Sequence, residues 1–134
     1  MDNIRIRFFS KLGHTKKVAE YLAEELGVET KVISGEDFET PCSLLFLGGA
    51  PYANIMDKEL KQYVEKLSKE DVKVVALFTT SNWSRRTVLS IRKTLTEKGI
   101  TVLPDHLYVH MLAVDGAKEK AHKFARDTVT LLDL

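Results

Sequence analysis

Apolar and polar residues alternate from Ile4 to Phe9 as Ile-Arg-Ile-Arg-Phe-Phe, the period-two pattern of a strand. The period then changes. Between Thr15 and Leu26, Val18, Ala19, Leu22, Ala23 and Leu26 recur at helical spacing, and Gly27 supplies a stop. Val28 to Ile33 reads as a short second strand. Ser34 to Pro41 is acidic and loop-like, with a weak or missing helix around Gly35 to Thr40. Ser43 to Leu47 is an apolar run of strand length, and Leu60, Tyr63, Val64 and Leu67 form one face of a helix starting near Asp57. Val72 to Phe78 is a buried strand. Val88, Ile91 and Leu95 mark the next helix, ended at Lys98-Gly99. Ile100 to Leu103 is a strand broken by Pro104 and continued from His106 to Leu112. Asp115 is the expected N-cap of a last helix that carries Ala117, Ala121, Phe124, Ala125, Thr128 and Leu132 on one side.

Strand and helix thus alternate along the chain, which implies a parallel sheet with helices on both faces. The continuous runs Leu44–Leu47 and Val74–Phe78 fit strands buried on both sides. Arg5 and Arg7 sit less easily in a central strand. Either they extend to the edge of a helix layer or a carboxylate pairs with them.

With 134 residues and no internal repeat or linker, a single domain over 1–134 is expected. Lys plus Arg (20) and Asp plus Glu (19) nearly cancel, so nothing marks a dedicated nucleic-acid binder. No apolar run reaches the ~20 residues of a membrane helix. Met1-Asp2-Asn3-Ile4 lacks the pattern of a secretion signal, and Cys42 is the only cysteine. A reducing cytoplasm is the expected location, and no disulfide framework or multi-cysteine metal site fits within one chain.

In an open parallel sheet, ligands sit beyond the carboxyl ends of the strands. The first of these ends gives Ser10-Lys11-Leu12-Gly13-His14-Thr15. The third gives Gly48-Gly49-Ala50-Pro51-Tyr52-Ala53-Asn54, and the fourth Thr79-Thr80-Ser81-Asn82-Trp83-Ser84-Arg85. A turn of small hydroxyl residues at the mouth of a helix suits a phosphate. The first helical N–H groups lack internal partners, and the helix dipole favours an anion there. Ser10 and Thr15 carry hydroxyls, Gly13 allows close backbone approach, and His14 has a ring N–H to donate. Simple helix capping by Ser10 and Thr15 is the competing explanation. Neither G-x-x-x-x-G-K-[ST] nor G-x-G-x-x-G occurs. The acids of a receiver domain are replaced by Phe9-Ser10 and Leu47-Gly48, and Cys42 precedes a strand, which excludes a cysteine phosphatase loop.

On these residues the chain resembles a short-chain flavodoxin over nearly its whole length. The family's phosphate loop has the form [ST]-x-T-G-[NH]-T, and Ser10 to Thr15 is similar to it, with Leu12 where a third hydroxyl is usual. Val75-Ala76-Leu77-Phe78 and the loop carrying Trp83 resemble the fourth strand and flavin-stacking loop. Gly48 to Asn54 resembles the loop over the other flavin face. The resemblance implies a three-layer sandwich whose five-stranded parallel sheet has the order 2-1-3-4-5. It implies non-covalent FMN and one-electron transfer between a reductase donor and an acceptor enzyme, with no metal and no catalytic side chain assigned. The implied cofactor-binding set is Ser10, Lys11, Leu12, Gly13, His14, Thr15, Ala50, Pro51, Tyr52, Ala53, Asn54, Thr79, Thr80, Ser81, Asn82 and Trp83. Trp83 and Tyr52 are the candidates for the two ring faces. Their competing roles are a plug over the sheet edge and a surface aromatic closing its loop. His110 and His122 lie outside these loops and read as surface or packing residues, His106 can reach the sheet end but is not assigned to the site, and Lys16-Lys17 read as a solvated helix face. An FMN-dependent quinone or protoporphyrinogen oxidoreductase needs a substrate platform that no segment here supplies. A flavin-free binding module is the other alternative. The acids common in the fourth-strand loop are absent, and Arg85-Arg86 stand beside it.

Overall fold

The structure, a computed structural model, describes residues 4–9, 13–33, 41–49, 58–80 and 85–134. In chain order the elements are β1 (Ile4–Phe8), α1 (His14–Leu26), β2 (Thr30–Val32), β3 (Cys42–Gly49), α2 (Lys58–Lys66), β4 (Val72–Thr80), α3 (Arg85–Glu97), β5 (Thr101–Val102) and β6 (Leu107–Val109). A 3-10 segment (Met111–Gly116) and α4 (Lys118–Leu131) complete the chain. The strands pair in the order β2-β1-β3-β4, and β5 and β6 both lie against β4. Every pairing is parallel. The fifth position of the expected sheet is therefore filled by two short strands. Pro104 lies in the gap between them; it has no N–H to give a ladder.

Period-two alternation sorts the central strands onto two cores. Leu44, Phe46, Ala76 and Phe78 join Ile6 and Phe8 in a cluster with Val18, Ala19 and Leu22 of α1 and Ala121 and Ala125 of α4. Leu45, Leu47, Val75 and Leu77 face the other way, onto Leu60, Tyr63 and Val64 of α2 and Ile91 and Leu95 of α3. Leu44 to Leu47 and Val75 to Phe78 are all 0% exposed, so both faces of β3 and β4 are covered. Burial on this scale, at roughly 25 cal/mol per Å² of apolar surface, is the main stabilising contribution to the fold.

Arg5 and Arg7 occupy the face of β1 opposite Ile6 and Phe8. On that face Arg5 and Arg7 pair with Leu45 and Leu47 of the second core, and their guanidinium groups reach backbone carbonyls. Arg5 donates to Pro41 O at 3.5 Å, and Arg7 to Ile6 O at 3.2 Å.

Gly27 closes α1 in the left-handed region and donates its N–H to Ala23 O, as its position in the sequence predicts. The expected cap of α4 is different. Its N-cap is Ala117, and Asp115 lies inside the 3-10 segment. The reason lies upstream: His110 Nδ1 accepts the Leu112 N–H at 3.1 Å and starts the turn early. The Asp115 carboxylate then pairs with Lys17 of α1 at 3.2 Å. Lys17 thus lies on a solvated helix face and pairs there with Asp115, whose carboxylate holds its ammonium pKa above the usual lysine value. No described helix is long and apolar enough to cross a membrane.

Candidate functional site

The carboxyl ends of β1, β3 and β4 share one edge of the sheet, since Phe8 pairs with Gly48 and Gly48 with Phe78. Helix α1 starts at that edge. Its N-cap is Gly13, with φ 87° in the left-handed region, so the chain turns there as only glycine does without strain. The first intrahelical bond runs from Lys17 N–H to Gly13 O at 3.1 Å. A glycine N-cap brings no capping side chain, and the first turn of α1 holds no acidic residue. The positive end of the helix is thus left without a carboxylate of its own, which suits an incoming anion.

Thr15, the second residue of α1, is 1% exposed. Its Oγ1 lies 2.7 Å from Oγ1 of Thr80, the last residue of β4 and also 1% exposed. This contact ties the start of α1 to the end of β4 directly. Next to it, the Thr79 hydroxyl donates to Gly49 O at 2.9 Å and so locks the end of β4 to the end of β3. Thr79 and Thr80 are strand residues, not loop residues, because β4 runs two positions beyond its last apolar side chain. Both hydroxyls are turned inward.

Gly48 and Gly49 likewise belong to β3 rather than to the loop that follows. Gly48 is required by packing. A Cβ there would stand 2.2 Å from Phe78 Cε2.

Of the candidate cofactor residues, the structure brings together Gly13, Thr15, Thr79 and Thr80, with His14 half-buried at the first position of α1. Ser10, Lys11, Leu12, Ala50, Pro51, Tyr52, Ala53, Asn54, Ser81, Asn82 and Trp83 lie outside the described residues. So do the Gly35–Thr40 segment and the expected helix start at Asp57. Among the described residues no cluster of His, Cys, Asp and Glu can hold a metal ion.

Of the other histidines, His110 directly follows Val109, the partner of Thr80, and so stands at this same end of the sheet. His110 caps the 3-10 segment. His122 lies between α1 and α4, edge-on to Tyr21 and 3.5 Å from Glu24. Thr80 pairing with Thr15 was missed in the sequence. The signal was strand parity: Ala76, Phe78 and Thr80 lie on one face of β4, and that face meets α1.

A family model described as a flavodoxin domain matches residues 5–124. The chain belongs to the flavodoxin family. Solved structures agree on the fold. A flavodoxin from the domain Archaea superposes with a TM-score of 0.74 at 19% identity, covering 98% of this chain and 99% of that one. A short-chain flavodoxin associated with a non-canonical PDU bacterial microcompartment gives 0.73 at 14% identity, covering 96% and 98%. The oxidised flavodoxin 2 of Bacillus cereus gives 0.69 at 19%, covering 92% and 94%. No curated protein matches the sequence. Within the flavodoxin family, the edge described above is the end of the sheet at which ligands of open parallel α/β folds sit.

Proposed function

We propose that this flavodoxin-family chain binds FMN non-covalently and carries single electrons between a reductase and an acceptor protein in the cytoplasm. The observation that carries the proposal is the 2.7 Å contact between Thr15 and Thr80. It ties Thr15, where the phosphate-loop pattern ends, to Thr80, after which the sequence runs on to Trp83. FMN needs both at once: a cradle for a phosphate and an aromatic partner for a large flat ring.

The donor set fits the group. The left-handed Gly13 lets the backbone turn into α1, and the first-turn amides and helix dipole favour a dianion there. No acid in that turn opposes it. Ser10 and Thr15 add hydroxyls and His14 a ring N–H. Lys11 and Leu12 would belong to the same loop, with the Lys11 ammonium adding charge. Trp83, next to Ser81 and Asn82 in sequence, would take one ring face, and Tyr52, in the segment Ala50-Pro51-Tyr52-Ala53-Asn54, the other. Thr79 serves by fixing the ends of β3 and β4 against each other. When bound, FMN supplies the one-electron chemistry. The chain binds it, orients it and limits water around it.

The test is addition of FMN to the purified protein. Quenching of flavin fluorescence and a yellow protein after gel filtration are expected. A protein that stays colourless and leaves FMN fluorescence unchanged overturns the proposal in favour of a flavin-free binding module. Steady turnover of a quinone or a porphyrinogen by the loaded protein would point instead to an enzyme.

A further inference from the structure

The two buried hydroxyls at the start of α1 raise a question of proton placement. At 2.7 Å a single proton lies between Thr15 Oγ1 and Thr80 Oγ1, and either oxygen can be its donor. The second proton must go elsewhere. Both residues are 1% exposed, so bulk water is not its acceptor. A threonine inside a helix often returns its proton to a carbonyl of the preceding turn. Thr15 is second in α1, directly after His14, and has no preceding helical turn. At that position its hydroxyl stands at the mouth of the helix, where an anion can take the proton.

We infer that Thr80 is a positioning residue for the phosphate: its hydroxyl donates to Thr15 Oγ1, and the Thr15 hydroxyl is thereby turned to donate to the phosphate of FMN. This rests on the FMN reading above. Thr80 does not touch the ligand in this arrangement. It fixes the direction of the one hydroxyl that does, and it strengthens that donor, because a hydroxyl that accepts a bond becomes a better donor. An anion at the mouth of α1 selects this direction over the reverse one. Thr80 is well placed for the task. Thr79 anchors the end of β4 to Gly49, and β6 covers it from the other side, with Val109 paired to Thr80.

Affinities for FMN and for riboflavin, which lacks the phosphate, test the inference in wild type, Thr80→Val, Thr80→Ser, Thr15→Val and the double variant. Thr80→Val should weaken FMN binding ~3–10-fold, as loss of one hydrogen bond implies. Riboflavin affinity should not change, and Thr80→Ser should bind FMN like wild type. In the Thr15→Val background, Thr80→Val should have no further effect on FMN. Thr80→Cys, a weak donor of similar size, should fall between serine and valine, and it carries the test if the valine variant does not fold. Equal FMN affinity in Thr80→Val and wild type overturns the inference. So does an equal loss with and without Thr15, or an equal loss of riboflavin, since either marks Thr80 as part of the packing alone. Failure of the wild-type protein to bind FMN is a separate result: it removes the cofactor reading and this inference with it.

Discussion

Gly48 and Phe78 oppose each other across β3 and β4, and the Phe78 ring fills the space that a side chain at position 48 would need. A Cβ on Gly48 would lie 2.2–2.5 Å from three atoms of that ring. Phe78 is 0% exposed within the core under α1 and α4, so the ring has nowhere to retreat. Gly48→Ala should destabilise the fold by roughly 1–3 kcal/mol or more through overpacking. The check is the urea midpoint in wild type, Gly48→Ala, Phe78→Leu and the double variant. The alanine should cost clearly less in the Phe78→Leu background than in the presence of the Phe78 ring. Equal costs in the two backgrounds would show that the ring is not the obstacle.

Gly13 presents a different case. Nothing lies within 4 Å of a Cβ built there, yet its φ of 87° is one that side-chain-bearing residues rarely adopt. The cost of Gly13→Ala is therefore conformational, about 1–2 kcal/mol. Gly13→Asn should cost less, because asparagine enters the left-handed region more readily. Thermal unfolding of both variants checks the ranking. If the two are equally stable, the backbone conformation is not what selects glycine here.

The layers were legible because β3 and β4 are apolar at every position from Leu44 to Leu47 and from Val75 to Phe78, which only a doubly covered strand tolerates, whereas the strand order came from the family resemblance. Gly27 and Gly99 marked helix ends for a backbone reason, and both have positive φ. The strand ends were harder to read. Thr79, Thr80, Gly48 and Gly49 look like loop residues because they are small or polar, but the hydrogen-bond ladder continues through them. Asp115 looked like a cap, since local sequence cannot show that His110 starts a turn first or that Lys17 approaches from another helix. At the site, residue types revealed a phosphate-like loop. The Thr15–Thr80 contact spans 65 positions and needed the fold.

Arg92 bridges the gap between β5 and β6, donating to Leu103 O and, at 3.1 Å, to Pro104 O. Next to it, partial burial and then the Arg92 guanidinium hold the His106 imidazole below its usual range, against the pull of Asp105. The folded protein thus favours the neutral ring, and the unfolded chain takes up the proton first as pH falls. Stability from this group is fully present above about pH 6.5, the unperturbed imidazole value, and declines as pH drops from there through the folded-state midpoint. An NMR titration of His106 should give a midpoint that rises in Arg92→Gln and stays low in Arg92→Lys, which keeps the charge. A midpoint that does not move in Arg92→Gln would leave burial as the whole cause.

Arg85 and Arg86 open α3, whose first turn holds no acidic residue. Two cations at the positive end of a helix dipole are locally unfavourable, so Arg85→Glu, Arg86→Glu should stabilise the helix by about 0.3–1 kcal/mol per residue at low salt. The same pair follows the Trp83 segment at the carboxyl end of β4, where we place the flavin. A positive charge ~10 Å from a redox centre favours an added electron by about 0.4 kcal/mol in a water-like medium and about 1.7 kcal/mol at an effective dielectric near 20. For a one-electron couple these are ~18 and ~70 mV per charge. The double charge reversal should therefore lower the midpoint potential of bound FMN while raising the unfolding temperature of the protein. That opposition of signs separates a field acting on the flavin from a general loosening of the fold, which would lower stability instead. Potentiometric titration at low ionic strength is the measurement, and added salt should shrink the difference as the charges are screened. Identical potentials in wild type and variant at low salt would remove the arginines from the redox tuning and leave them as a solvated helix start.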